Sequence, residues 1–246
     1  MKPMALLLSV AVVLSFSSPA FAYLDAFDGL LKDHVAAVSK EGVSYNGVDY
    51  VSWGKDPRHA QVRKDILATD PSTLATQEER LSYWINAYNF LTVDLIIKEE
   101  ERETIKNLGD FFTSPWRAHS WIISGEEYTL DGIEHEIIRP MGEARIHFAI
   151  NCAAISCPDL RMEAYRAEKL VEQLGDQTQL TFNNPSKGFM NFDDQNAIRV
   201  SKVMDWFDED FNDGDVRGWL RPYFPDVIDE DTTVRFFNYD WSLNAQ

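Results

Sequence analysis

Cysteine is scarce in this chain: Cys152 and Cys157 are the only two among 246 residues. A disulfide-stapled mini-fold and a four-thiolate zinc site are excluded on that count. Positive charge is also scarce. Lys and Arg number 23 against 40 Asp and Glu, a formal net charge of −17. A surface so acidic repels phosphate, which argues against nucleic acid and anionic membranes as partners. After Phe16 there is no apolar run long enough to span a bilayer. There is no internal repeat and no low-complexity linker.

The first residues read as a leader. Met1-Lys2-Pro3 is a short basic start, Met4 to Phe16 is almost wholly apolar, and Ala20-Phe21-Ala22 is a small-x-small cleavage site. Residues 1–22 are therefore expected to be a secretory signal peptide, with Tyr23 first in the mature chain. The protein is expected to be exported, to the periplasm or beyond, with no stable membrane insertion after cleavage. With 45% apolar residues and seven Trp, residues 23–246 have material for one core. Two cysteines in an exported chain most simply form one disulfide.

Helical spacing predicts helices over 25–39, 57–67, 76–101, 166–182 and 214–223. The longest of these has an apolar stripe of Leu81, Trp84, Ile85, Tyr88, Leu91, Leu95 and Ile96, opened by a capping box of Thr76 and Glu79. Asn86 and Asn89 sit in its middle. Asn is a poor helix former, so both side chains are expected to serve a site or to bond neighbouring loop backbone. Residues 41–53 read as a loop turning at Asn46-Gly47. Hairpins are expected over 120–130 and 188–200, and a last strand over 234–239. Asp131 to Glu134 reads as a second capping box, and Ser201 as the cap of a helix through Phe207. The sum is a single α+β domain, helices packed on a small, mostly antiparallel sheet, with a papain-like arrangement as the named candidate. The acidic run Asp208 to Asp215 lacks the glycine and glutamate positions of a calcium loop and reads as a solvated loop.

Chemistry concentrates in Arg145 to Pro158, which reads as a buried strand over 146–151 running into a polar loop. Period two sets Phe148, Ile150 and Cys152 on one face and His147, Ala149 and Asn151 on the other. Cys157 lies beyond the strand, where a turn can return it to the His147 and Asn151 side. Thiolate, base and orienter are the parts of a thiol nucleophile site. Cys157 is the preferred nucleophile and Cys152 the second choice. His135 is the other candidate base. Asn86, Asn89 and Glu134 are candidate substrate-binding residues. Two Cys with one His could offer zinc three ligands, yet no second tight pair exists, and no metal or cofactor is expected.

Four blocks carry a family likeness: Tyr83 to Asn89, Leu130 to His135, His147 to Pro158, and Tyr239 to Asn244. In this order they resemble the domain of unknown function 547 family, over roughly Val43 to Asn244. The resemblance supplies no activity. It implies association with thioredoxin-like modules, which points toward thiol chemistry. The leading expectation is a papain-like thiol hydrolase or transferase acting on an amide or thioester of an unknown small-molecule or peptide substrate. The rivals are a non-catalytic binding or envelope-associated module stapled by a Cys152–Cys157 disulfide, and a thiol–disulfide redox protein.

Overall fold

A computed structural model describes residues 21–246. The expected leader lies outside the described residues up to position 20. Tyr23 begins the core: its side chain is fully buried against Tyr83.

The fold is built around one helix. After α1 (Leu24–His34), strands β1 (Val35–Lys40) and β2 (Val43–Val48) form an antiparallel hairpin. Helices α2 (Tyr50–Lys55) and α3 (Pro57–Ala68) follow, each capped by an aspartate, Asp49 and Asp56. The central helix is α4 (Gln77–Lys98). The Thr76 hydroxyl accepts the Glu79 N–H, and the Glu79 carboxylate accepts the Thr76 N–H, so the expected capping box is formed. Every residue from Leu81 to Ile96 is buried. The helix is thus wrapped on all sides rather than along one stripe.

A short α5 (Pro115–Ala118) precedes a second hairpin, β3 (Ser120–Ile123) with β4 (Glu126–Thr129). Then come α6 (Leu130–Gly132) and a π-helical turn over Ile133–Ile138. The helical turn α7 (Ile146–Ala149) leads into the cysteine loop. Helix α8 (Leu170–Phe182) packs on α7. The last sheet has three strands: β5 (Phe189–Phe192) runs antiparallel to β6 (Ala197–Val200), and β7 (Thr233–Phe236) joins β6 in parallel. Between these strands lie α9 (Val203–Trp206) and α10 (Val216–Leu220). The architecture is the expected α+β domain, with three small sheets among the described residues in place of one.

Several local expectations are corrected. The expected strand over 146–151 is the helical turn α7, followed by extended Ile150. Ile146, His147, Phe148 and Ala149 are all buried, and a short run buried on every side carries no periodicity that separates helix from strand. The period-two assignment of faces fails with it. The last third of the first expected helix belongs to β1, and the expected loop over 41–53 holds β2 and the start of α2. The β1–β2 turn lies at Glu41-Gly42, both with positive φ, instead of Asn46-Gly47. Gly47 sits inside β2, where a Cβ would come within 2.8 Å of Val38. Thr129, not Asp131, caps α6 by accepting the Gly132 N–H. Ser201 makes no side-chain cap, and α9 begins after Lys202.

Candidate functional site

A cavity of about 200 Å³ opens where the two apolar clusters of the molecule meet. Tyr88 of α4, Glu134 and His135 of the π-helical turn, Ile150, Cys152 and Cys157 line it. Trp116, Trp206, Phe207, Tyr239 and Trp241 form an aromatic wall. Trp206, Tyr239 and Trp241 touch one another, with ring centroids 4.5–5.6 Å apart.

The cysteine loop is held from three directions. Asn89 bonds it to α4, donating to the Ala149 carbonyl and accepting the Asn151 N–H. Asn151 closes the loop on itself: its Nδ2 donates to the Pro158 carbonyl, and its Oδ1 accepts the Ala153 N–H. That bond sits at Ala153, a buried residue in the left-handed region at φ 60°. The C-terminal segment runs alongside. Ile155 N–H donates to the Ser242 carbonyl and Asn244 N–H to the Ala153 carbonyl, which sets Tyr239 and Trp241 beside the thiols. From the opposite side the buried Lys187 ammonium donates to the carbonyls of Ile155 and Cys157 and to Asp159 Oδ1.

Both cysteines are free, and their sulfurs are 2.8 Å apart. Cys157 is buried, whereas Cys152 is half-buried. The Cys152 N–H donates to Cys157 Sγ at 3.0 Å, and Tyr239 Oη lies 2.9 Å from Cys152 Sγ. Burial pushes the Cys157 thiol up. The S–H and N–H of Cys152, the Tyr239 hydroxyl and the nearby Lys187 charge together outweigh burial and hold it below the ordinary thiol value. Burial, then the hydrogen bond and charge of Cys157, push Cys152 well above that value. The two titrate as a pair, with Cys157 the first to ionise.

Burial pushes the Glu134 carboxyl up to about 7, against the opposing Tyr88 hydrogen bond and Arg139 charge. Tyr88 Oη donates to Glu134 Oε2 at 3.1 Å. The capping role expected for Glu134 is not the one it fills.

The histidines take other partners. His147 Nε2 lies 2.7 Å from Asp210 Oδ2, and its ring stacks on Phe207 at 4.2 Å. Burial brings the imidazole down to about 4 despite Asp210. Asp210 itself is held low: burial raises it, but hydrogen bonds from Arg139 and His147 outweigh that. The proton of neutral His147 therefore sits on Nε2, and Nδ1 is a buried acceptor with no hydrogen-bond partner among the described residues. His135 Nδ1 accepts from Arg139 at 3.0 Å. Both imidazoles line the cavity, but neither hydrogen-bonds a sulfur among the described residues. The expected return of Cys157 to a hydrogen bond with His147 is not formed. Asn86 bonds the Tyr165 backbone and the Tyr23 hydroxyl, away from the cavity.

Among the expected site residues, Cys152, Cys157, His147, His135 and Glu134 share the cavity, while Asn151, Asn86 and Asn89 brace backbone. Tyr88, Tyr239, Asp210 and Lys187 were missed as site residues. In the sequence Tyr88 is one member of an apolar stripe, and Tyr239 one member of a family block. Asp210 was hidden in a run read as a solvated loop. No three His, Cys, Asp or Glu are grouped to hold a metal among the described residues.

Fold and site together define an α+β protein with a free dithiol on the wall of an aromatic cavity. The model of the family described as Protein of unknown function, DUF547, matches residues 71–180, and that segment belongs to the family. The match takes in α4, Trp116, Glu134 and both cysteines and ends before Trp206, Phe207, Tyr239 and Trp241 of the aromatic wall. No curated protein and no solved structure matches the chain.

Proposed function

We propose that the protein is an exported thiol–disulfide oxidoreductase whose redox pair is Cys152 and Cys157. The observation that carries this reading is the pair of free sulfurs 2.8 Å apart in a cavity wall. The charge rests on Cys157, and the Cys152 S–H proton passes to it across the 2.8 Å contact as Cys152 attacks. Cys152, the more exposed, meets the substrate. Its thiolate attacks one sulfur of a substrate disulfide, which forms a mixed disulfide and releases the other sulfur as a thiolate. Cys157 then attacks Cys152, closing the Cys152–Cys157 disulfide and freeing the second substrate thiol. The substrate gains two electrons and two protons, and an external dithiol returns them to the pair. Neither step needs an imidazole or an oxyanion site.

A second reading, acyl transfer from an amide or thioester, rests on Glu134, whose carboxyl is raised to about 7 and can donate or accept a proton at neutral pH. Against it stand the unengaged imidazoles and the loop amides. The N–H groups of Asn151, Cys152, Ala153, Ile155, Ser156 and Cys157 all donate within the protein, so the loop offers no adjacent pair of free donors for an oxyanion.

The test is equilibration in redox buffers of 2-mercaptoethanol and its neutral disulfide, followed by alkylation and mass spectrometry. Oxidoreductase chemistry predicts that both thiols become protected together, with a mass loss of about two hydrogens, and that Cys157→Ser traps a mixed disulfide on Cys152. Acyl transfer predicts thioester turnover that survives Cys152→Ser. Thiols that stay free across all buffers would overturn the redox reading.

A further inference from the structure

The cavity is built to accept hydrogen bonds and to face positive charge. Its charged lining consists of Glu134 and Asp131, with no Lys or Arg on it. Glu134 is buried, with Oε2 bonded by Tyr88. Asp131 is paired outward to Arg117, whose side chain is largely exposed. His147 also lines the cavity, but its unpartnered Nδ1 is itself buried. Glu134 is thus the acceptor beside the dithiol, which suits a ligand group that only donates. The aromatic wall adds a second form of attraction. The face of an aromatic ring draws cations, most strongly that of Trp. Two rings of this wall already carry cations: Lys106 Nζ lies 5.3 Å from the Trp241 centroid, and the Arg139 guanidinium 5.1 Å from Phe207. Neither cation lines the cavity.

Resting on the dithiol reading, we infer that the substrate is a disulfide carrying an ammonium group close to its sulfurs, with the ammonium seated between Glu134 and the Trp206–Tyr239–Trp241 wall. A carboxylate-bearing disulfide is repelled by Asp131, by Glu134 in its ionised form, which prevails above about pH 7, and by the negative charge of the whole chain. The class therefore comprises amine-bearing disulfides and disulfides flanked by basic side chains. Acidic ones such as oxidised glutathione fall outside it.

Three small disulfides separate the charges: cystamine, 2-hydroxyethyl disulfide and 3,3′-dithiodipropionate. Each single-turnover rate with the reduced protein is divided by that disulfide's rate with dithiothreitol, which removes differences in intrinsic reactivity. The expected order is cystamine first, about tenfold above the neutral disulfide, with the dianion slowest. Glu134→Gln should narrow the ratio of cystamine to neutral disulfide. In parallel, tryptophan fluorescence of the reduced protein is titrated with n-butylammonium, 1-butanol and butyrate, none of which can undergo exchange. Binding of n-butylammonium with weaker binding of the other two supports the charge preference. If that preference holds while none of the disulfides is reduced, the dithiol reading fails and the cation site stands. Equal normalised rates for the three disulfides, or butyrate binding as well as n-butylammonium, overturn the inference.

Discussion

Asn89 holds both ends of the turn that delivers the cysteine loop: its Nδ2 donates to the Ala149 carbonyl at 2.9 Å, and its Oδ1 accepts the Asn151 N–H at 2.8 Å. A mid-helix asparagine is unfavourable for α4 by propensity, and this pair of hydrogen bonds is what the position gains. Asn89→Leu keeps the volume and strands two buried backbone groups. The expected loss is about 2–4 kcal/mol, read as a lower urea midpoint. A loss below about half a kcal/mol would mean that the loop is held without Asn89.

Glu134 and His147 set opposing pH dependences. Glu134 is raised by burial to about 7, so the stability tied to its protonated form is complete below its unfolded value and is lost as pH rises through about 7. His147 is lowered by burial to about 4, so its neutral form supports the fold above its ordinary value and that support is lost as pH falls toward about 4. Each contributes about 3 kcal/mol across its window. Between about pH 4.5 and 6.5 the two slopes offset. Melting temperature against pH checks this. Glu134→Gln should leave a protein that loses stability on acidification over that interval, and His147→Gln one that gains it. Parallel curves for wild type and both variants would contradict the assignment.

Legibility in the sequence followed the kind of signal each element carries. Helix α4 was readable because its capping box and long apolar pattern agree. The hairpins at 120–129 and 189–200 were readable because turn residues separate their apolar runs. Helix α7 was not, since four buried residues have no period. That error carried into the site: with the strand gone, the opposite-face argument that set Cys152 apart from His147 and Asn151 also goes. The thiols were found from residue type alone. Their partners Tyr239 and Lys187 lie 87 and 30 residues from them in the chain, and no local pattern foretells a contact at that separation.

Lys187 is the buried brace of the loop. Its ammonium satisfies two carbonyls and Asp159, and its charge favours a Cys157 thiolate. Lys187→Met leaves those acceptors unpaired, at an expected cost of about 3–5 kcal/mol. The same variant should slow iodoacetamide labelling at neutral pH, since the thiol pair loses its nearby cation. Unchanged labelling in a folded variant would show that the loop geometry, not the charge, sets the thiol pair.

Tyr239 offers a cleaner separation of chemistry from stability. Its ring packs on Trp206 and Trp241 at 4.6 and 4.5 Å, and its hydroxyl lies 2.9 Å from Cys152 Sγ. Tyr239→Phe keeps the ring contacts and removes only the hydroxyl. A hydrogen bond to a charged group is worth about 1.5–3 kcal/mol. Part of that is recovered by the second sulfur, so the apparent pKa of the pair should rise by about one unit. At a pH below that pKa the thiolate fraction, and with it the rate of disulfide exchange, should fall about tenfold. Raising the pH should restore the rate, because the nucleophile itself is intact, and the melting temperature should stay within a few degrees of wild type. A rate that stays low at every pH would mean that the hydroxyl contacts the substrate. A rate unchanged at neutral pH would mean that the Cys152 N–H and Lys187 suffice to hold the charge on Cys157.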